Sequence, residues 1–238
     1  MDGMNKSTVA QIRERFDKDV ERFSNLETGQ TATVDAPLVL EMISRTVALS
    51  NPSATHLLDI GCGAGNYSLK ILGSLPNMNI TLVDLSQPML ERAMKRIQPE
   101  TNGKVEAHQA DIRELVLPQA QFDIIVAAAV FHHLRGDEEW QQVFSKCYAA
   151  LKPGGSLWIA DLIDHEVSAV REVMWQRYGE YLTQFRDEAY RDQVFGYIEQ
   201  EDTPRPLMFQ LNLLRSVGFR QVEVLHKNAS FAAFGAIK

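Results

Sequence analysis

The chain predicts an α/β protein built on a mostly parallel sheet, and three observations carry that expectation. From about residue 55, short apolar runs alternate with amphipathic stretches, the pattern of βαβ units. Runs such as IIVAAAV, residues 124–130, are apolar on both faces, which suits a strand covered by helices above and below the sheet. The 238 residues, 45% of them hydrophobic, suffice for one such domain with an added segment.

The elements follow in order. Residues 1–35 form a polar, helix-prone leader, with Phe16 and Phe23 on one helical face and charges elsewhere. It is expected either to lie on the sheet as a solvated helix or to close over a ligand. Strands are expected over 56–61, 79–85, 104–111, 122–130 and 156–163. Between them, helices are expected over 66–75, over 87–97 with Ser86 as N-cap and Pro88 in the first turn, and over 137–151. The third stops at Lys152-Pro153-Gly154-Gly155. Residues 166–205 are a different kind of segment: one or two helices bearing Trp175, Tyr178, Tyr181, Phe185, Tyr190, Phe195 and Tyr197, broken by the run EDTPRP. A helix over 207–217 ends at Gly218, and two β-like runs joined at Asn228-Ala229-Ser230 close the chain as an antiparallel hairpin. The main domain therefore spans 36–238, with 166–205 as an aromatic helical insert.

Charge and cysteine usage narrow the function. A net charge of -7 and a pI near 5.4 supply no general cationic field for a phosphate backbone, so nucleic acid is not an expected partner. Cys62 and Cys147 stand alone, without a CxxC or Cys/His cluster, which points away from a zinc site or disulfide framework and toward a reducing cytoplasm. No apolar run approaches the roughly 20 residues that span a bilayer.

Chemistry concentrates at the ends of the first strands. HLLDIGCGAGN places Gly61, Gly63 and Gly65 behind Asp59, in the pattern DxGxGxG. Such a loop lets backbone approach a ligand closely. A dinucleotide loop, GxGxxG, would need its third glycine at Asn66, which disfavours a nicotinamide oxidoreductase. Asp84 ends the second strand, where a carboxylate accepts hydrogen bonds from both hydroxyls of a ribose, and Asp111 and Ile112 follow the third, suited to an adenine. Three carboxylates on one rim serve a cationic nucleoside better than a pyrophosphate.

The stretches LLDIGCGAGNYSLKI, ITLVDLSQPMLERA, QADIREL, FDIIVAAAVFHHL and LKPGGSLWIADL closely resemble, in order and spacing, the successive motifs of class I S-adenosylmethionine-dependent methyltransferases. The resemblance implies a Rossmann-like seven-stranded sheet with its last strand antiparallel, a helical cap, and S-adenosyl-L-methionine as cofactor. By motif, Gly61 to Gly65 would hold the methionine moiety, Asp84 with Leu85 and Met89 the ribose side, Asp111 and Ile112 the adenine, and Ala128 or Ala129 the backbone near the sulfonium. Within the superfamily, the aromatic insert and the C-terminal run resemble the group of carboxy-S-adenosylmethionine synthases of tRNA wobble-uridine modification. Such enzymes use an insert arginine for the extra carboxylate. The matching place here falls near Phe195, with Arg191 the nearest arginine.

The expected activity is methyl transfer to a small-molecule acceptor by in-line displacement. A carboxy-cofactor enzyme is the first alternative and a non-catalytic sensor or scaffold the second. A base is needed only if the acceptor loses a proton, and the candidates are His132, His133 and Tyr178, with Asp161, Asp164, His165 and Tyr181 nearby. Each has an ordinary alternative: the histidines as a packed strand-end loop, the aromatic insert as helix core, substrate lid or homodimer contact. Asp161, Asp164 and His165 would be the set for a divalent ion; solvated loop residues account for them, and no metal is expected. Arg15 or Arg22 of the leader could reach the cofactor carboxylate.

Overall fold

The computed structural model describes residues 6–25 and 31–238. Seven strands form one sheet: β1 (His56–Ile60), β2 (Asn79–Asp84), β3 (Val105–Gln109), β4 (Phe122–Ala128), β5 (Leu151–Leu162), β6 (Gln221–Asn228) and β7 (Phe231–Ile237). Their order is β3-β2-β1-β4-β5-β7-β6. The first five are parallel, and β7 runs antiparallel to both β5 and β6, as expected. The chain winds outward from β1 to β3 and then returns to β4 on the other side of β1. That reversal leaves a crevice at the carboxyl ends of β1 and β4, the place where open α/β sheets bind ligands.

Helices cover both faces. On one lie α3 (Ala36–Ser50), α4 (Asn66–Leu72) and α5 (Gln87–Ile97), whose Val39, Ile43, Val47, Ile71, Leu90 and Ile97 are buried with Leu57, Ile80 and Leu82. On the other, α6 (Asp137–Ala150) and α9 (Leu207–Ser216) bury Trp140, Phe144, Cys147 and Leu214 against Leu58, Ile125 and Phe234. Local signals set several ends. Ser86 Oγ accepts from the Met89 amide at 3.3 Å and caps α5. Asp137, Glu138 and Glu139 fill the first turn of α6, where the positive end of the helix dipole favours them.

Some boundaries move. Helix α4 ends at Leu72, three residues early, because the amides of Ser74 and Leu75 turn back onto the Ile71 carbonyl before Pro76. Strand β4 stops at Ala128, where Ala129 takes φ 56° and Phe131–His133 form one 3₁₀ turn. The Lys152 to Gly155 punctuation falls inside β5 as an irregularity in its pairing with β4, with Gly154 at φ 78°. Helix α3, unassigned in the sequence reading, starts at Asp35, whose Oδ2 accepts from His226 Nε2 and Asn228 Nδ2, both at 2.8 Å.

The insert folds as α7 (Ser168–Phe185) and α8 (Glu188–Glu201). Most of its aromatics face inward: Tyr178, Leu182 and Val194 are buried, with Trp175, Tyr181, Tyr190 and Phe195 packed around them and Phe231 of β7 5.0 Å from Tyr178, whereas Phe185 and Tyr197 are exposed. The leader forms α1 (Val9–Lys18) and the four-residue α2 (Val20–Phe23), beside α5 and tied to α8 by the Ser7 amide on the Gln200 carbonyl. Among the described residues, no helix is long and apolar enough to cross a membrane.

Candidate functional site

The crevice holds a cavity of about 260 Å³ roofed by the leader and the insert. Its floor begins with the glycine loop. Gly61, Gly63 and Gly65 take φ values of 63°, 49° and 82°, a left-handed region that strains any residue with a Cβ. They are not equivalent. A Cβ on Gly61 would lie 2.1 Å from Val130 Cγ2 and one on Gly65 2.7 Å from Ile97 Cδ1, whereas one on Gly63 would meet nothing within 4 Å. Gly61 and Gly65 are thus required by packing as well as backbone shape; Gly61 and Gly63 both line the cavity, and Gly63 is the one of the three with open space beside it. Its N–H donates to Asp84 Oδ2 at 2.8 Å, so the loop is held by the carboxylate at the end of the neighbouring strand.

Asp84 is fully engaged on its own side: Oδ1 accepts the Ser86 amide at 2.8 Å. Burial still raises its carboxyl above the usual range. Leu85 and Met89 line the same wall. Asp59, at the end of β1, is buried, accepts from Ser68 Oγ at 2.6 Å, and is pushed up to about 7 by desolvation. Ala128 and Ala129 line the opposite wall, the Ala129 amide bonded to the Ala160 carbonyl at 2.8 Å.

Asp111 and Ile112, assigned to the adenine, follow β3 and are not among the residues that line this cavity. Arg113 folds back on Asp111, with Nη2 2.6 Å from Oδ2 and the Arg113 amide 2.9 Å from Oδ1. Burial would raise the Asp111 carboxyl, but the Arg113 hydrogen bonds outweigh it and hold it low. Ile112 is packed into the core.

Beyond β4, His132 and His133 both face the cavity. Asp161, from β5, is the anchor: Oδ2 accepts the Phe131 amide at 2.8 Å, Oδ1 accepts the Leu162 amide at 2.8 Å, and Oδ1 is in short contact with His132 Nδ1. On the other side, His132 Nε2 is 3.6 Å and His133 Nδ1 3.1 Å from Asp202 Oδ1. Burial would lower the His132 imidazole, but Asp202 and Asp161 together raise it to about 9. In this state it carries its proton at neutral pH.

Other candidates are corrected by their partners. Tyr178 donates to the Ala32 carbonyl at 2.7 Å and burial pushes its hydroxyl up, so it is a packed, bonded wall residue rather than a base. Asp161, Asp164 and His165 do not converge. Asp161 serves His132, Asp164 pairs with Arg171, and neither ring nitrogen of buried His165 has a partner among the described residues. Arg15 lines the cavity but spends its guanidinium on Glu201, Nε to Oε1 at 2.8 Å, while Arg22 bonds Asp19 at 2.7 Å. Arg191 pairs with Asp192 at 2.8 Å and is not among the lining residues. The sequence reading passed over Glu201 and Asp202, treated only as part of a helix breaker. Their signal was two adjacent carboxylates just before Pro204, at the end of a helix returning to the crevice.

Residues 57–155 match the methyltransferase domain family. That match covers less than half of the chain. Among curated relatives, the domain is similar to malonyl-[acyl-carrier protein] O-methyltransferase of Paenibacillus sp., 29% identical over 158 residues, 65% of this chain and 55% of that protein. It is also similar to demethylmenaquinone methyltransferase of Listeria welshimeri, 22% identical over 92% of this chain and 94% of the relative. The chain spans about half the length of the first of these. Its fold is shared by phosphoethanolamine N-methyltransferase 2 of Haemonchus contortus in complex with S-adenosyl-L-methionine, with a TM-score of 0.60, 18% identity, and 94% of this chain and 60% of that one covered. The [4+2]-cyclase SpnF shares it as well, with a TM-score of 0.62, 18% identity, and 96% and 80% covered.

Proposed function

We propose that the protein binds S-adenosyl-L-methionine in the cavity between the glycine loop and Ala129 and transfers its methyl group to a small-molecule acceptor. The observation that carries this is Asp84, which holds the Gly63 amide at 2.8 Å at the mouth of a cavity also lined by Asp59, Asp161, Glu201 and Asp202. Glu201 is paired with Arg15, and Asp161 and Asp202 with His132, so the carboxylates without a cationic partner are those beside the glycine loop, Asp59 and Asp84, which suit a sulfonium nucleoside better than a pyrophosphate. The methyltransferase match over 57–155 supports the same reading.

The sulfonium is already an activated leaving group: the acceptor's electron pair forms the new bond to the methyl carbon while the carbon–sulfur pair stays on sulfur, giving a neutral sulfide. The protein's contribution is alignment, which can supply much of the acceleration. Leader residues Phe16 and Phe23 and cap residues Val194, Tyr197 and Ile198 cover the cavity with largely apolar surface, which excludes water from the transfer. Arg15 bonded to Glu201 latches the leader to α8. A carboxylated cofactor, as in the carboxy-S-adenosylmethionine synthase group, needs a cation at its added carboxylate. Arg191 does not supply one to this cavity, which favours plain methyl transfer.

The test is incubation with methyl-labelled S-adenosylmethionine and a panel of hydroxyl, amine and thiol acceptors. Label appearing in one acceptor class, with S-adenosylhomocysteine formed in equal amount, is the expected result. Donor binding without turnover on any acceptor would favour the sensor reading.

A further inference from the structure

We propose that His132, His133 and Asp202 form a divalent transition-metal site at the acceptor end of the cavity, with Asp161 as the positioning residue for His132. The three offer one ligand atom each, all within 4.8 Å of one another. Their spacing fits a single ion: bonds of about 2.1 Å in tetrahedral geometry put ligand atoms roughly 3.4 Å apart. Asp202 Oδ1 is 3.6 Å from His132 Nε2 and 3.1 Å from His133 Nδ1.

The surroundings suit the same purpose. Asp161 takes His132 Nδ1, which turns the ring so that Nε2 faces Asp202, the carboxylate–histidine arrangement that orients metal-bound imidazoles. Asp161 is itself fixed by the backbone amides of Phe131, His132 and Leu162. The Thr203 amide donates to the His132 carbonyl at 2.7 Å, which locks the end of the cap to the β4 loop and holds Asp202 in place. Asp202 and His132 are each less than a tenth exposed, so the ligands need not be gathered from a mobile surface.

Two imidazoles and one carboxylate favour ions such as Zn²⁺, Fe²⁺ or Co²⁺ over Mg²⁺ or Ca²⁺, and three protein ligands leave a position open. Resting on the methyl-transfer reading, the acceptor class is a molecule with an ionisable hydroxyl. The open position takes its oxygen, favours loss of its proton to solvent, and presents the resulting oxygen pair to the methyl carbon.

Co²⁺ and Zn²⁺ salts alone are the probes, added to the chelator-treated full chain. We expect one Co²⁺ per chain with visible d–d absorption, displaced by Zn²⁺. His133→Ala and Asp202→Asn should each weaken binding about 100-fold or more, beyond the roughly 10- to 100-fold lost when only a residue that orients a ligand is changed, while Arg191→Ala leaves it unchanged. Circular dichroism and thermal unfolding of the same samples report whether the variants are folded, and S-adenosylhomocysteine is titrated separately. Should they fail to fold, the unsubstituted chain still decides: Co²⁺ should selectively broaden the imidazole NMR signals of His132 and His133. Absence of a one-to-one Co²⁺ complex, or broadening confined to other histidines, overturns the site. If metal is absent yet S-adenosylhomocysteine binds, only this inference fails; if metal binds and the nucleoside does not, only the methyl-donor reading fails.

Discussion

Replacing Asp84 by alanine removes two kinds of bond at once, and they can be measured apart. Its carboxylate accepts the Gly63 and Ser86 amides, both at 2.8 Å. Each is a hydrogen bond to a charged group, worth about 1.5–3 kcal/mol net, so Asp84→Ala should lower stability by at least that amount. Under the proposed function, the same carboxylate would accept the ribose hydroxyls of the bound nucleoside. Losing that interaction, with water partly replacing it, should weaken binding by a further 1.5–3 kcal/mol or so, about 10- to 150-fold. Asp84→Asn keeps one acceptor oxygen but turns an NH₂ toward a backbone donor, so it should lose affinity as well. The assay is calorimetric titration with S-adenosylhomocysteine at 25 °C, beside thermal unfolding of each variant. A folded Asp84→Ala protein that binds within twofold of the parent would refute the ribose assignment and leave Asp84 only as the loop's anchor.

Three further outcomes are expected. Gly61→Ala should destabilise by more than the roughly 1–2 kcal/mol of a left-handed residue, because its Cβ meets Val130 Cγ2 at 2.1 Å; adding Val130→Ala should restore the clash portion in thermal melts but not the rest. Asp59 is pushed up to about 7 from its ordinary 3.8, so the folded chain holds a proton that the unfolded chain releases. Its contribution is therefore complete below about pH 4 and lost as pH rises through about 7, by at most on the order of 4 kcal/mol. Denaturant titrations across that window should show a slope that Asp59→Asn flattens. Glu201→Gln should loosen the latch to Arg15, so that hydrogen exchange across α1 quickens about tenfold, equivalent to about 1.4 kcal/mol.

What could be read from the sequence divides along a physical line. Strands β1, β2 and β4 announce themselves because central parallel strands must be apolar on both faces, and HLLDI, NITLVD and FDIIVAA are largely so. Asp59, Gly63 and Asp84 were legible because strand ends in such a sheet face one crevice. The distinct work of Gly61 and Gly65 was not, since the residues they make room for, Val130 and Ile97, lie 69 and 32 positions away. Asp111 has a partner that the motif does not announce: Arg113, two residues on, pairs with its carboxylate. The cluster of His132, His133, Asp161 and Asp202 joins three separated elements through side-chain geometry, which periodicity does not encode. A histidine pair was visible, but its carboxylates were not identifiable as partners until the cap folded back over β4.

The central claim is that this acid-lined cavity holds a sulfonium nucleoside. Calorimetric titration of the full chain with S-adenosylmethionine, S-adenosylhomocysteine and NAD tests it most directly. The account predicts saturable one-to-one binding of the first two and none of the dinucleotide. Binding of NAD with neither sulfur nucleoside retained would contradict it.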